Sequence, residues 1–400
     1  MQPRIVLMPI EAPRIFLVAG EPSGDTLGAG LLRALLVDAP DLQTQGIGGP
    51  GMQQAGMDLV FPYDDLAIMG VVEILPKLAR LKQRWQQAAG AIHTFQPDVV
   101  VTIDSSGFNK GLAKRLIKAG EPARRVHYVA PMVWAWRAGR AKGMARLFDR
   151  LLTLFPFEPR YFTPYGLPTD CVGHPAVEAT PGDGPGFRAA HGIGQDTPTL
   201  ALLPGSRRGE LKRILPLFCD VAARLQAKIP NLHLICPTVP MVAPQLREAL
   251  ARLSMPATMV EDLSAKADAL AAADVALAAS GTITLELALA RVPMVVAYRV
   301  NPTTAFVGEH VFGIRTAALP NLLAGRAAVP EFLQRFATPE RLTDGTFALF
   351  KDHEARAAQQ QAFAEMTAAL QPGVLSPSET AAKIVLQEAE MGRAARYLNR

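Results

Sequence analysis

The stretch that most limits what this chain can fold into runs from Asp274 to Ala290. An apolar run, Asp274-Val275-Ala276-Leu277-Ala278-Ala279, meets a small-residue turn, Ser280-Gly281-Thr282, and restarts with helical spacing from Ile283. It reads as strand, tight turn, helix, the repeating unit of an α/β sheet. A helix that begins at Ser280, Gly281 and Thr282 presents unpaired backbone N–H groups, hydroxyl caps and the positive end of its dipole to an anion. One turn in, Glu286 reaches past that anion toward hydroxyl groups. An anion followed by a diol acceptor suggests a diphosphate joined to a ribose. A capped helix with an exposed glutamate is the plain alternative.

The same unit recurs along the chain. Ile15 to Ala19 is a continuous apolar run that ends in Gly20-Glu21-Pro22-Ser23-Gly24-Asp25, after which Leu27, Leu31, Leu32, Leu35 and Leu36 fall at helical spacing. That loop is not G-x-G-x-x-G, and no acidic residue ends an evident second strand about twenty residues later, which disfavours a dehydrogenase-type dinucleotide fold. Pro97 to Asp104 is a buried strand that delivers Asp104 into Ser105-Ser106-Gly107-Phe108-Asn109. Ligands of open α/β sheets bind at that end of the strands, so Asp104 is a candidate general base or, alternatively, a helix N-cap. Val126 to Ala130 leads into Trp134-Ala135-Trp136-Arg137 and Arg140, where aromatic faces and guanidinium groups suit a sugar or acyl phosphate, a core position being the alternative for Trp134. Thr199 to Leu203 precedes a second anion loop, Pro204 to Glu210, in which Gly205 and Ser206 expose N–H groups and Arg207 brings a fork of donors, or which is simply a solvated basic loop. The amide of Asn321, in the apolar loop Ala318 to Gly325, is placed to orient a substrate or to cap a turn.

The turn-rich break Thr180 to Gly186 divides the chain into domains 1–180 and 187–335, with a helical segment 336–400 packing back on the first domain or on a partner subunit. The expected architecture is two doubly wound α/β domains facing across a cleft. A length of 400 residues suits two domains. The net charge of +5 is not gathered into a Lys/Arg tail, which favours a small anionic ligand or an anionic membrane surface over nucleic acid. Cys171, Cys219 and Cys236 have no C-x-x-C spacing and fit a reducing, cytoplasmic compartment. No secretion signal is visible, and Asp274, Glu286 and Arg291 interrupt the longest apolar candidate for a spanning helix. Leu66 to Trp85 is amphipathic with Lys77, Arg80, Lys82 and Arg84 on or beside it, and reads either as a membrane-surface helix or as a core helix with a basic outer side. Metal-ligand His/Cys spacing, G-x-S-x-G and the P-loop pattern are absent from the sequence.

Gly20 to Asp25, Val126 to Pro131 with Trp134 to Arg137, Leu203 to Arg207, Ser280 to Thr282 with Glu286, and Leu319 to Leu322 together resemble the lipid-A-disaccharide synthase family, over about Arg14 to Gln334. The resemblance implies a two-domain GT-B architecture and an inverting transfer without metal or redox cofactor. It implies that 2,3-diacylglucosamine passes from its UDP conjugate to the 6-hydroxyl of 2,3-diacylglucosamine 1-phosphate in lipopolysaccharide synthesis, giving a β(1→6) disaccharide and UDP. On that scheme Ser280, Gly281 and Thr282 hold the diphosphate and Glu286 the ribose. Arg207 offsets leaving-group charge, with Gly205 and Ser206 beside it. Asp104 is the base, and Asn321 meets substrate, as do Ser23, Gly24, Asp25, Trp136 and Arg137. The resemblance also implies peripheral binding to the cytoplasmic face of the inner membrane and a homodimer. The family's strand end reads Asp-x-Pro-Asp-Phe-Asn, whereas this chain has Asp104-Ser105-Ser106-Gly107-Phe108-Asn109, without the proline and the second carboxylate. A UDP-GlcNAc 2-epimerase of similar fold is the competing expectation.

Overall fold

The structure, a computed structural model, describes residues 12–66, 74–131, 139–300, 316–371 and 373–398. Contacts divide the chain into two units, Met1–Pro175 with Leu370–Arg400, and Ala176–Ala369. The division falls just ahead of the turn-rich break, and the 336–400 segment is shared between the units.

The first unit contains β1 (Arg14–Ala19), α1 (Pro22–Asp38), β2 (Gln43–Gly48), α2 (Pro50–Gln54), β3 (Asp58–Pro62), α3 (Ile74–Phe95), β4 (Val99–Ile103), α4 (Ser106–Lys118), β5 (Arg124–Tyr128), α5 (Gly139–Ala145), β6 (Arg150–Thr153) and β7 (Thr169–Cys171). The strands lie in the order β3-β2-β1-β4-β5-β6-β7, and β1 runs parallel to both β2 and β4. β4 is buried at every position, as a strand covered by helices on both faces must be. Leu31, Leu32 and Leu35 of α1 pack on one face with Ile15, Leu17 and Val101. On the other face Ile92 of α3 and Leu112 and Leu116 of α4 pack with Phe16, Val18 and Val100.

The described part of α3 is a core-facing helix. Trp85 stacks on Phe108 at 5.9 Å, donates from Nε1 to the Phe108 carbonyl at 2.9 Å and lies under the Arg115 guanidinium at 4.1 Å. Leu81 packs against the same cluster while Arg80 and Lys82 are exposed. Trp85 is therefore committed to α4 rather than to a bilayer; residues 67–73 of the same stretch lie outside the described residues.

The second unit contains α6 (Gly184–Ala190), β8 (Thr199–Leu203), α7 (Arg208–Lys228), β9 (His233–Pro237), α8 (Ala243–Leu250), β10 (Ala257–Val260), α9 (Lys266–Ala271), β11 (Val275–Ala279), α10 (Thr282–Leu289), β12 (Met294–Tyr298), α11 (Leu319–Ala324), β13 (Glu331–Leu333), α12 (Pro339–Lys351) and α13 (His353–Ala369). Its sheet is ordered β10-β9-β8-β11-β12-β13. Leu211, Ile214 and Phe218 of α7 share one core with Leu342 and Leu349 of α12. At the start of β11, Asp274 accepts from the Thr199 N–H at 2.8 Å and pairs with the nearly buried Arg188 at 3.0 Å, which pins β11 beside β8.

The chain then returns to the first unit as α14 (Pro377–Leu398). Ala381, Ala382, Val385 and Ala389 enter the core beneath α1 and β1. Ion pairs fasten the helix: Glu388, 1% exposed, meets Arg124 at 2.7 Å, and Asp98 at the foot of β4 meets Arg393 and Arg396. At Gly392 a Cβ would lie 2.0 Å from the Asp98 carbonyl oxygen, so the helix crosses there only without a side chain.

Candidate active site

In both all-parallel sheets the strand order reverses once. In the second unit the reversal lies between β8 and β11, and in the first between β1 and β4. The crevice outside the carboxyl ends of such a strand pair is where open α/β sheets bind ligands. The loops that follow these four strands begin at Pro204, Ser280, Gly20 and Asp104, so every one of them carries residues singled out from sequence.

In the second unit Gly281 stands at the head of α10 with φ 153° and ψ −165°, a region essentially reserved for glycine. No side chain caps α10. The Ser280 hydroxyl instead donates to the Ala317 carbonyl at 2.7 Å and ties the helix start to the segment leading into α11. The first turn of α10 thus keeps its dipole and its leading N–H groups for an external acceptor. One turn in, the Glu286 carboxylate pairs with Lys266 at the start of α9. Across the switch point Gly205 turns the chain at φ 110°, and Arg207 is exposed at the head of α7. The Ser206 N–H donates to Glu210 Oε2 at 3.1 Å, so the side chain of α7's first turn already occupies that donor. Burial and the nearby Glu210 push the Tyr298 hydroxyl above its ordinary pKa, with Arg207 and Arg213 opposing.

Asn321 is held within its own unit. It is 7% exposed, and its amide donates to the Val329 carbonyl at 3.1 Å and Glu331 Oε2 at 3.2 Å while its carbonyl accepts from the Val329 N–H at 2.8 Å. Glu331 in turn accepts from the Ala317 and Ala318 N–H groups at 2.7 and 2.9 Å. The side chain staples the loop that Ser280 holds and has little capacity left for substrate. Asn321→Ala is expected to cost about 1–3 kcal/mol of stability, read as a lowered urea midpoint, because buried partners lose their hydrogen bonds. A normal midpoint with weakened substrate binding would return Asn321 to the ligand.

In the first unit Asp104 and Ser105 have φ of 47° and 39°, and Val129 beyond β5 has φ 79°. Positive φ at three non-glycine residues, one of them β-branched, is stored strain of the kind found at functional sites. Asn109 restrains the turn by donating to the carbonyls of Ile103 at 3.2 Å and Asp104 at 2.7 Å. Ser105, not Asp104, is the N-cap residue of α4, and no side chain caps it, which leaves the Asp104 carboxylate uncommitted to that role. Burial raises its pKa above the ordinary 3.8, and a backbone hydrogen bond at Ser105 partly opposes the shift. A Cβ on Gly20 would fall 2.4 Å from Ser105 Oγ, so the β1 and β4 loops touch.

Asp25 is engaged by backbone N–H groups. Its oxygens accept from the N–H groups of Gly49, Gly51 and Met52 at 2.7, 2.9 and 3.0 Å, which caps α2 and turns the carboxylate inward. Gly24 is buried beside it and Ser23 is exposed on α1's first turn. Trp136 and Arg137 lie outside the described residues.

Residues 15–385 match the family description Lipid-A-disaccharide synthetase. The chain belongs to the lipid-A-disaccharide synthase family. The lipid-A-disaccharide synthase of Gluconobacter oxydans is 42% identical over 374 residues, covering 93% of this chain and 90% of that one. Among solved structures, the UDP-GlcNAc 2-epimerase from Neisseria meningitidis bound to UDP-GlcNAc has a TM-score of 0.62 at 12% identity, covering 94% of this chain and 98% of that one. MurG of Acinetobacter baumannii has a TM-score of 0.55 at 14% identity, covering 95% and 99%. These likenesses carry the fold, and the two parallel-sheet units are those of a GT-B protein.

Three groups in this member of the lipid-A-disaccharide synthase family have partners that the sequence did not reveal. Glu210 and Lys266 were legible only as charged residues in a first helical turn, and nothing local to Glu331 marks it as the anchor of the Ala317 loop. A Glu four residues past Ser206 was the one available signal for Glu210.

Proposed function

We propose that this glycosyltransferase makes the lipid A disaccharide by moving 2,3-diacylglucosamine from UDP to the 6-hydroxyl of 2,3-diacylglucosamine 1-phosphate. The acceptor is held on the first unit and the UDP-sugar on the second. Asp104 takes the proton of the attacking hydroxyl, a bond forms from that oxygen to the anomeric carbon, and the bond from that carbon to the diphosphate oxygen breaks. One displacement from the face opposite the leaving group inverts the centre. The departing diphosphate gains charge, and the uncapped start of α10 with Arg207 stabilises it there more than in the ground state. Glu286, oriented by Lys266, receives the ribose hydroxyls. The observation that carries the reading is the convergence of family membership with polar loops on all four strands flanking the two switch points.

Acylated substrates put the reaction at an anionic membrane surface, and the exposed Arg80 and Lys82 on α3 support a contact there. Among the described residues no helix is long and apolar enough to cross a membrane.

The test is mass spectrometry of the purified chain with UDP-diacylglucosamine, with and without acceptor. A disaccharide 1-phosphate together with UDP, formed only when both substrates are present, is the expected result. Consumption of the donor without acceptor, or an epimerised donor, would replace the reading with that of a UDP-sugar epimerase or hydrolase.

A further inference from the structure

Three cations crowd together on the first unit beside the Asp104 turn. Lys110 and Lys114 stand one turn apart on α4, and Ala113 between them packs with Ala141 and Met144 of α5, which brings Arg140 alongside. Burial, then Arg140 and then Lys114 hold the Lys110 ammonium below its ordinary pKa. No carboxylate pairs with any of the three among the described residues. Crowded like charges oppose folding unless an anion completes them.

The direction of the side chains places this charge. Helical side chains lean toward the N-terminus of their helix, so Lys110 and Lys114 reach back toward the end of α4 that Asn109 ties to Asp104. Lys110 is about 6 Å along the axis from Ser106, a span that suits one sugar ring between an anionic group and the reacting hydroxyl.

His127 on β5 is a second, independent observation. It is fully buried, with Nδ1 at 2.7 Å from Thr102 Oγ1, whose proton is given to the Val126 carbonyl at 3.2 Å. Nδ1 is therefore the donor, and Nε2 is left a bare acceptor without a partner among the described residues. Burial, helped by the nearby charge of Lys110, pushes the ring down to about 3 and keeps it neutral. The ring stacks on Phe148 at 4.7 Å, and its bare lone pair is a buried acceptor beside the Lys110 charge, on the same side of the sheet as the cation cluster.

We propose that Lys110, Lys114 and Arg140 form a subsite for a phosphate monoester, holding the anionic end of a sugar phosphate whose hydroxyl meets Asp104. The assignment rests on the glycosyl-transfer reading for the identity of that sugar, and the phosphate chemistry stands apart from it. An anionic lipid headgroup offers the same chemistry, so the test separates the two sources.

Binding to the full chain is measured by calorimetry for diacylglucosamine 1-phosphate in detergent, for the same lipid without its phosphate, and for vesicles containing phosphatidylglycerol. The expected result is that Lys110→Gln and Arg140→Gln each weaken the phosphorylated lipid by about tenfold to a hundredfold, as loss of a charge-assisted contact does. The dephosphorylated lipid and UDP should bind as before. Lys110→Gln should also melt no lower than the parent, because it relieves crowding, whereas a structural lysine would melt lower. Unchanged binding of the phosphorylated lipid, equal weakening of both lipids, or a loss confined to the vesicles would each overturn the proposal. Enzyme that binds the phosphorylated lipid through these residues yet forms no disaccharide would sink the reaction and leave the subsite standing.

Discussion

Asp104→Asn is expected to lower turnover by about 10²-fold or more while leaving UDP affinity unchanged. The residue sits at the first unit's switch point on strained backbone, is raised in pKa by burial and does not cap α4. A base must be ionised to act, so the acid limb of kcat/KM should lie above 3.8, the ordinary value, and should vanish in the variant. The stability sign follows from the same shift. A folded-state pKa above the unfolded one contributes stability that is present below the unfolded value and lost as pH rises through the folded value. At neutral pH the ionised carboxylate therefore opposes folding, and Asp104→Asn should be more stable than the parent there, with the difference vanishing in acid. Near-normal turnover would remove Asp104 from the base role. The pairing of lost activity with gained stability is the mark of a strained catalytic position and would not follow from replacing a structural residue.

Asp98→Ala should cost about 3–5 kcal/mol, the usual loss when one partner of a buried ion pair is removed. Asp98 is 1% exposed, and its partners Arg396 and Arg393 are only 15% and 16% exposed, so they cannot regain full hydration when the carboxylate goes. The Arg14 N–H, donating to Asp98 Oδ2 at 2.8 Å, loses its acceptor as well. Urea unfolding followed by circular dichroism measures this. A loss below about 1 kcal/mol would mean that the arginines behave as surface groups.

The strand runs were legible because a parallel strand covered on both faces is continuously apolar, and β1, β4, β8 and β11 announce themselves at Ile15, Val99, Thr199 and Val275. The placement of polar loops after them followed from the same alternation. What a polar side chain in such a loop binds was not legible. Asp25 and Asn321 carry the same chemistry whether they face backbone or ligand, and only the fold shows that N–H groups 24 to 27 residues away use Asp25. Trp85 likewise fits a bilayer or a neighbouring helix equally well by spacing, and Phe108 decides for the helix. Farther still, Arg124 and Glu388 are 264 positions apart, beyond any periodicity.

That last separation bears on how the protein is made. The sheet of the first unit is complete once Cys171 has emerged, yet Pro377, where α14 begins, follows 206 residues later (377 − 171). At about 5–20 residues per second the ribosome needs about 10–40 s to supply it. During that interval the apolar surface destined for Ala381, Val385 and Ala389 stays uncovered on the nascent chain. The first unit is begun first and finished last, so a ribosome stalled anywhere in the second unit holds a complete sheet that still lacks its α14 cover.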